Sequence, residues 1–103
     1  MASELHLGYL TVDPSAGIVT LASTQLALSS SAVSLLAVLV ANRHRVVSRR
    51  ELATELDLRW ERSVDVLVMK IRRVLGEDAV RTVRGRGWII DGSLFGAETP
   101  AST

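Results

Sequence analysis

Cysteine is absent from the 103 residues, which removes disulfides, thiol nucleophiles and cysteine-ligated zinc together and suits a reducing cytosol. Histidine is nearly absent: His6 and His44 stand far apart, and a metal site built on them would need unusual help from carboxylates. The longest apolar run, Ala32 to Ala41 broken by Ser34, is half the ~20 residues that cross a bilayer, and no charged-then-apolar leader opens the chain. No internal repeat is visible. These absences point to a soluble cytoplasmic domain with no membrane partner, no metal, no cofactor and no small-molecule ligand.

What remains is a composition that folds: 48% hydrophobic, 22% charged and only two prolines, in a length that suits one small domain. The net charge of +1 hides a strong division along the chain. All twelve cations lie between Arg43 and Arg86, against seven acids, so that stretch carries +5. The flanks hold Glu4, Asp13, Asp91 and Glu98 with no Lys or Arg, and carry −4. A near-neutral chain therefore has a basic half.

The first 28 residues read as an antiparallel meander. Leu5 to Leu10 alternates, Asp13-Pro14-Ser15-Ala16-Gly17 is a turn, Ile18 to Leu21 is β-branched, and Gln25 to Leu28 adds a short strand. Ser29-Ser30-Ser31 then offers N-caps to a helix that is apolar on most sides and ends at Asn42. Ser48-Arg49-Arg50-Glu51 fits a capping box, with Glu51 reaching back to Ser48 and Val47 stapled onto Leu52, and opens a second helix running to about Leu56. After a short connection, Arg62 to Leu75 reads as a third helix ended by Gly76.

At ~100° per residue the third helix buries a stripe of Val64, Val68, Ile71 and Leu75. Its opposite face carries Arg62, Val66, Met69, Lys70 and Arg73, with Asp65 and Arg72 on the flanks. A hairpin follows: Val80 to Arg84, a Gly85-Arg86-Gly87 tip, and Trp88 to Ile90. The two glycines are expected to let the tip approach a phosphate backbone closely. Trp60 and Trp88 are expected to be partly buried, with indole N–H groups within reach of phosphate. Residues 1–92 make the domain, and 93–103 read as a frayed tail.

Strands, helix, helix, basic helix and basic hairpin, in that order, make an α+β winged helix-turn-helix. A helix fits the major groove of B-DNA, with cations for phosphates and short polar or apolar groups for base edges. A narrow hairpin can lay arginine against the adjacent minor groove. Taken singly, the helix charges read as a solvated face balanced by Glu61 and Asp65, and the hairpin arginines as edge protection; their coincidence in one basic half favours DNA. An enzyme is not expected: Ser29 to Ser31 have no neighbouring base, Asp65 has no paired carboxylate, and no phosphate loop or nucleophile elbow appears.

Three segments resemble one family over nearly the whole of Leu5 to Ile90. They are Arg45-Val46-Val47-Ser48-Arg49-Arg50-Glu51-Leu52; then Val64-Asp65-Val66 followed by Ile71-Arg72-Arg73-Val74-Leu75-Gly76; and Arg81-Thr82-Val83-Arg84-Gly85-Arg86-Gly87-Trp88. In order and spacing they are similar to the OmpR/PhoB-type DNA-binding domain, the output module of many bacterial two-component response regulators. The resemblance implies phosphate contacts by Arg49, Arg62, Arg72, Thr82 and Trp88, to which the helical wheel adds Arg73. It implies base contacts by Ser63, Asp65, Val66 and Lys70, and a minor-groove contact by Arg84, with Arg86 beside it at the tip. It also implies double-stranded DNA as the partner and head-to-tail pairs on direct repeats, with RNA polymerase touched by a loop between the second and third helices in activators.

Several positions depart from the family pattern. Leu67 replaces a common histidine, which removes a backbone contact. Met69 replaces a commonly polar residue and, with Val66, suits thymine methyl groups. Ala32 and Val33 replace an acidic and aromatic pair, which implies repacking. The connection Asp57 to Glu61 is several residues shorter than the loop implicated in touching RNA polymerase. No receiver domain with a phosphorylatable aspartate accompanies the domain, which reads as either stand-alone or excised.

The sequence thus predicts sequence-specific DNA binding in transcriptional regulation. The alternative is a winged-helix module that docks on RNA polymerase or a partner regulator, favoured by the exposed Val66 and Met69. An accessory domain of an enzyme is a third possibility consistent with the fold.

Overall fold

The computed structural model describes residues 4–97. Its first layer is a four-stranded antiparallel meander of β1 (Leu5–Leu7), β2 (Leu10–Asp13), β3 (Ile18–Leu21) and β4 (Thr24–Leu26), in that spatial order. The turn at residues 13–17 forms as its composition predicts, with the Ala16 N–H donating to Asp13 Oδ1 at 3.1 Å. Leu5 to Leu10 is not one strand. The chain reverses at Gly8-Tyr9, pairing Leu5 with Val12 and Leu7 with Leu10.

That reversal is held by a distant segment. The Tyr9 N–H donates to the Phe95 carbonyl at 2.7 Å, and a Cβ on Gly8 (φ +59°) would lie 1.8 Å from the same oxygen. Residues 93–97 are accordingly not frayed. Gly92–Phe95 forms a 3₁₀ turn capped by Asp91, and the Phe95 side chain is buried in the core. The expected tail loses these residues to the domain, because an aromatic ring removed from water outweighs the cost of ordering one short turn. Residues 98–103 of that tail lie outside the described residues.

Three helices form the second layer. In α1 (Ser30–Ala41), Ser29 caps the N-terminus and accepts from the Ala32 N–H at 3.3 Å, while the Asn42 side-chain amide donates back to the Val38 carbonyl at 2.8 Å. Seven residues of α1 are buried, Ala32 and Val33 among them, so the small pair packs into the core. Each Leu or Val buried there contributes about 1.5–3 kcal/mol. Helices α2 (Arg49–Glu55) and α3 (Arg62–Leu75) complete the layer.

Half of the capping box forms: Ser48 Oγ accepts from the Glu51 N–H at 3.0 Å, and Val47 and Leu52 are both buried in the core. Glu51 does not reach back to Ser48. Its two carboxylate oxygens are gripped instead by the Arg45 guanidinium, one of the two contacts being 2.9 Å. A bidentate, charge-assisted pair is stronger than a single bond to a neutral N–H.

The buried face of α3 comprises Val64, Leu67, Val68 and Ile71, and Leu75 is half-buried. Leu67 thus belongs to the core rather than the outward surface. Beyond α3, β5 (Val80–Val83) and β6 (Gly87–Ile90) form the hairpin, with Val80 opposite Ile90 and Val83 opposite Gly87. Arg84 therefore sits in the tip rather than in the strand.

Candidate nucleic-acid interface

Glu61 at the head of α3 makes no side-chain cap, and the helix starts from the turn in which the Ser63 N–H donates to the Trp60 carbonyl at 3.0 Å. Its fourteen residues span about 21 Å. The core stripe fixes its rotation and turns Arg62, Val66, Met69, Lys70 and Arg73 outward, all exposed. Val66 is 50% and Met69 56% exposed, two apolar side chains set among the cations. Ser63, Asp65 and Arg72 are half-buried along the flanks.

The hairpin is fastened to this helix and to α2. On the helix side, Arg72 Nε donates to the Val80 carbonyl at 2.9 Å and its Nη2 to Thr82 Oγ1 at 2.7 Å. On the α2 side, Val47 and Trp88 exchange both backbone hydrogen bonds, at 2.8 and 2.9 Å. Gly87 makes that pairing possible: its φ is +146°, and a Cβ there would lie 2.0 Å from the Val47 carbonyl oxygen. Gly87 thus serves a contact within the chain that the sequence reading did not anticipate, while a Cβ on Gly85 would meet nothing within 4 Å.

The tryptophans separate. Trp88 is 5% exposed and roofed by Arg49, whose guanidinium carbon lies 5.2 Å from the ring centroid. Trp60 is 59% exposed, contrary to the expectation of a packing element, with Arg62 at 5.9 Å from its ring. The short connection places it outside the core, with the Arg62 guanidinium beside its ring.

Arg49 also donates from Nη2 to Asp65 Oδ1 at 2.9 Å, a pair that spacing along the chain does not reveal because sixteen residues separate its members. A groove of about 300 Å³ between α3 and the hairpin is lined by Arg49, Asp65, Met69, Arg72, Thr82 and Trp88, with Val68 beneath. A second, of about 290 Å³, runs between the start of α2 and the tip, past Arg50, Arg86 and Gly87. Arg84 and Arg86 are exposed at that tip. The groove beside α3 thus brings together Arg49, Asp65, Met69, Arg72, Thr82 and Trp88, and the second adds Arg86, whereas Arg62, Ser63, Val66, Lys70 and Arg73 on α3 and Arg84 in the tip line neither.

No group of three or more His, Asp or Glu among the described residues could hold a metal ion. No helix among them is long and apolar enough to cross a membrane.

A core-seated helix with a basic outward face, preceded by a second helix and flanked by an arginine-bearing hairpin, defines a winged helix-turn-helix domain. A family model described as "Transcriptional regulatory protein, C terminal" matches residues 23–90, and the chain belongs to that family. Transcriptional regulatory protein QseB of Escherichia coli O157:H7 is 35% identical over 94 residues, covering 86% of this chain and 42% of QseB. Transcriptional regulatory protein RstA of E. coli K12 is 34% identical over 94 residues, covering 82% and 39%. The chain thus spans about two fifths of the length of these curated relatives.

Among solved structures, the Klebsiella pneumoniae RstA DNA-binding domain in complex with the RstA box superposes with a TM-score of 0.75 at 26% identity, covering 87% of this chain and 98% of that one. The DNA-binding domain of response regulator AdeR in complex with an intercistronic region gives 0.71 at 27% identity, covering 81% and 93%.

Proposed function

We propose that this domain binds double-stranded DNA sequence-specifically and serves transcriptional regulation in the bacterial cytoplasm, with α3 in the major groove and the hairpin at the minor groove. The observation that carries this reading is the exposed face of α3, where Arg62, Lys70 and Arg73 accompany Val66 and Met69, together with the exposed Arg84 and Arg86 of the hairpin. The two DNA complexes among the structural neighbours support it.

In this reading Arg49, Arg62, Arg72 and Arg73 neutralise phosphates, with Thr82 and the Trp88 edge alongside. Ser63, Asp65 and Lys70 face polar base edges, Val66 and Met69 face thymine methyl groups, and Arg84 and Arg86 enter the minor groove. Four arginines on phosphates give a slope of log K against log salt of about −3.6. Head-to-tail pairing on direct repeats belongs to the same proposal.

The second reading, docking on RNA polymerase or a partner regulator, is favoured by one observation, the pair of apolar side chains exposed on α3. Fluorescence anisotropy against random and genomic duplexes at two salt concentrations separates the two. Salt-dependent binding that prefers some genomic duplexes supports DNA recognition; no binding at micromolar protein supports docking.

A further inference from the structure

Asp65 places a carboxylate on the flank of α3, beside a surface otherwise rich in cations. It is 44% exposed at the side chain and touches neither core nor backbone through any hydrogen bond; its ion-pair partner is Arg49, itself 48% exposed. The Arg49 guanidinium lies over the Trp88 ring and lines the same groove as Arg72. One guanidinium thus has a fixed platform and an anionic partner already in place. A phosphate arriving at this groove must compete with that carboxylate for Arg49, and must itself tolerate the carboxylate's charge.

We propose that the Arg49–Asp65 pair is a specificity device: closed, it withholds Arg49 from the phosphates of arbitrary DNA, and it opens only where a base edge takes Asp65. This rests on the DNA-binding reading above. The chemistry that draws a carboxylate from α3 is an amino group in the major groove, the cytosine N4 amine being the matching donor. When that amine donates to Asp65, Arg49 is released to swing on Trp88 toward a backbone phosphate. Base recognition and one phosphate contact are thereby gained together, and at a wrong site both are lost together. The discrimination comes as much from what is withheld as from what is bound.

The inference is distinct from Asp65 simply reading a base, which would leave Arg49 available everywhere. It is distinct also from Asp65 acting as a diffuse repellent, which would not need Arg49. The test uses a duplex selected by the wild-type chain from a random pool and a scrambled duplex of the same composition. Binding is measured across salt for wild type, Asp65→Asn, Arg49→Gln and the double variant. Asn is isosteric and the site is half in water, and far-UV circular dichroism checks each fold. Arg49→Gln provides an independent reading on the unaltered carboxylate.

For wild type, the salt slope on the scrambled duplex is expected to be about one unit shallower than on the selected duplex, the signature of one withheld phosphate contact. Asp65→Asn should steepen the scrambled slope by that unit and cut the selected-to-scrambled ratio roughly tenfold, the scale of one good base contact. Arg49→Gln should weaken binding to the selected duplex alone, and in its background Asp65→Asn should no longer raise scrambled binding. Equal wild-type slopes on the two duplexes overturn the proposal, as does a gain from Asp65→Asn that persists without Arg49. Absence of salt-dependent binding to either duplex by wild type overturns the DNA-binding reading and this inference with it, whereas the other outcomes remove this inference alone.

Discussion

Replacing Gly87 by alanine should detach the hairpin from α2. The added Cβ would meet the Val47 carbonyl oxygen at 2.0 Å, its carbon at 2.7 Å and Ser48 Cα at 2.8 Å, all backbone atoms that no rotamer change can move. The two strands must separate, and the bonds at 2.8 and 2.9 Å between Val47 and Trp88 lengthen or break. Two backbone hydrogen bonds contribute about 1–3 kcal/mol together. Holding a non-glycine residue at φ +146° adds roughly 1–3 kcal/mol. A loss on the order of 3 kcal/mol is expected, a large part of the roughly 5–15 kcal/mol that stabilises a domain of this size. Gly85→Ala is the control: its φ is also positive, at +75°, but nothing lies within 4 Å, so only the backbone strain applies and about 1 kcal/mol is expected. Urea unfolding followed by tryptophan fluorescence gives both values. Equal losses for the two variants would refute the reasoning, because they would show that contact with Val47 contributes nothing beyond conformational strain.

Phe95→Ala should destabilise the domain by about 3–5 kcal/mol in the same urea assay, since it empties a core position; a loss under 1 kcal/mol would return the segment to the tail. Arg72→Ala should cost roughly 1–3 kcal/mol and speed hydrogen exchange in the hairpin more than in α1, because the lost bonds join α3 to Val80 and Thr82. The bidentate Arg45 contact holds the Glu51 carboxyl below its usual value of 4.5. A lowered folded value means stability present above that value and lost as pH falls through the lower one. Wild type should therefore exceed Glu51→Gln in stability at pH 7, and the difference should shrink on acidification below about 4.5; a difference independent of pH would disprove the pair's role.

What could be read from the sequence was what neighbours in the chain decide. The turn at Asp13, the caps at Ser29 and Ser48 and the stripe of α3 each depend on residues within four positions of one another. Leu5 to Leu10 was unreadable as two strands because the reversal at Gly8-Tyr9 is fixed by Phe95, more than eighty residues on. The same contact explains why the segment after Gly92, poor in apolar residues, still folds: one ring suffices when the partner turn already exists. Glu51 left its expected cap because Arg45, six residues earlier, offered a charged alternative that helix periodicity does not register. Trp60 and Trp88 are the same residue type with opposite fates, because Trp88 lies in β6, bridged to Val47 and covered by Arg49, whereas Trp60 lies in the short connection before α3.

The site shows the same limit more sharply. Helical spacing was enough to turn Arg62, Val66, Met69, Lys70 and Arg73 outward, because burial of the opposite stripe determines rotation. It was not enough to say which arginines are free. Arg72 is bonded to the hairpin and Arg49 to Asp65, whereas Arg62 and Lys70 stand exposed on the helix, so residues equal in formal charge differ in availability to phosphate. An arginine held by an internal partner reaches a phosphate with less conformational entropy to lose, but must share or surrender that partner. Charge counted along a chain therefore bounds the electrostatic attraction to DNA, while the internal pairing of each guanidinium determines how that attraction divides between all sequences and one.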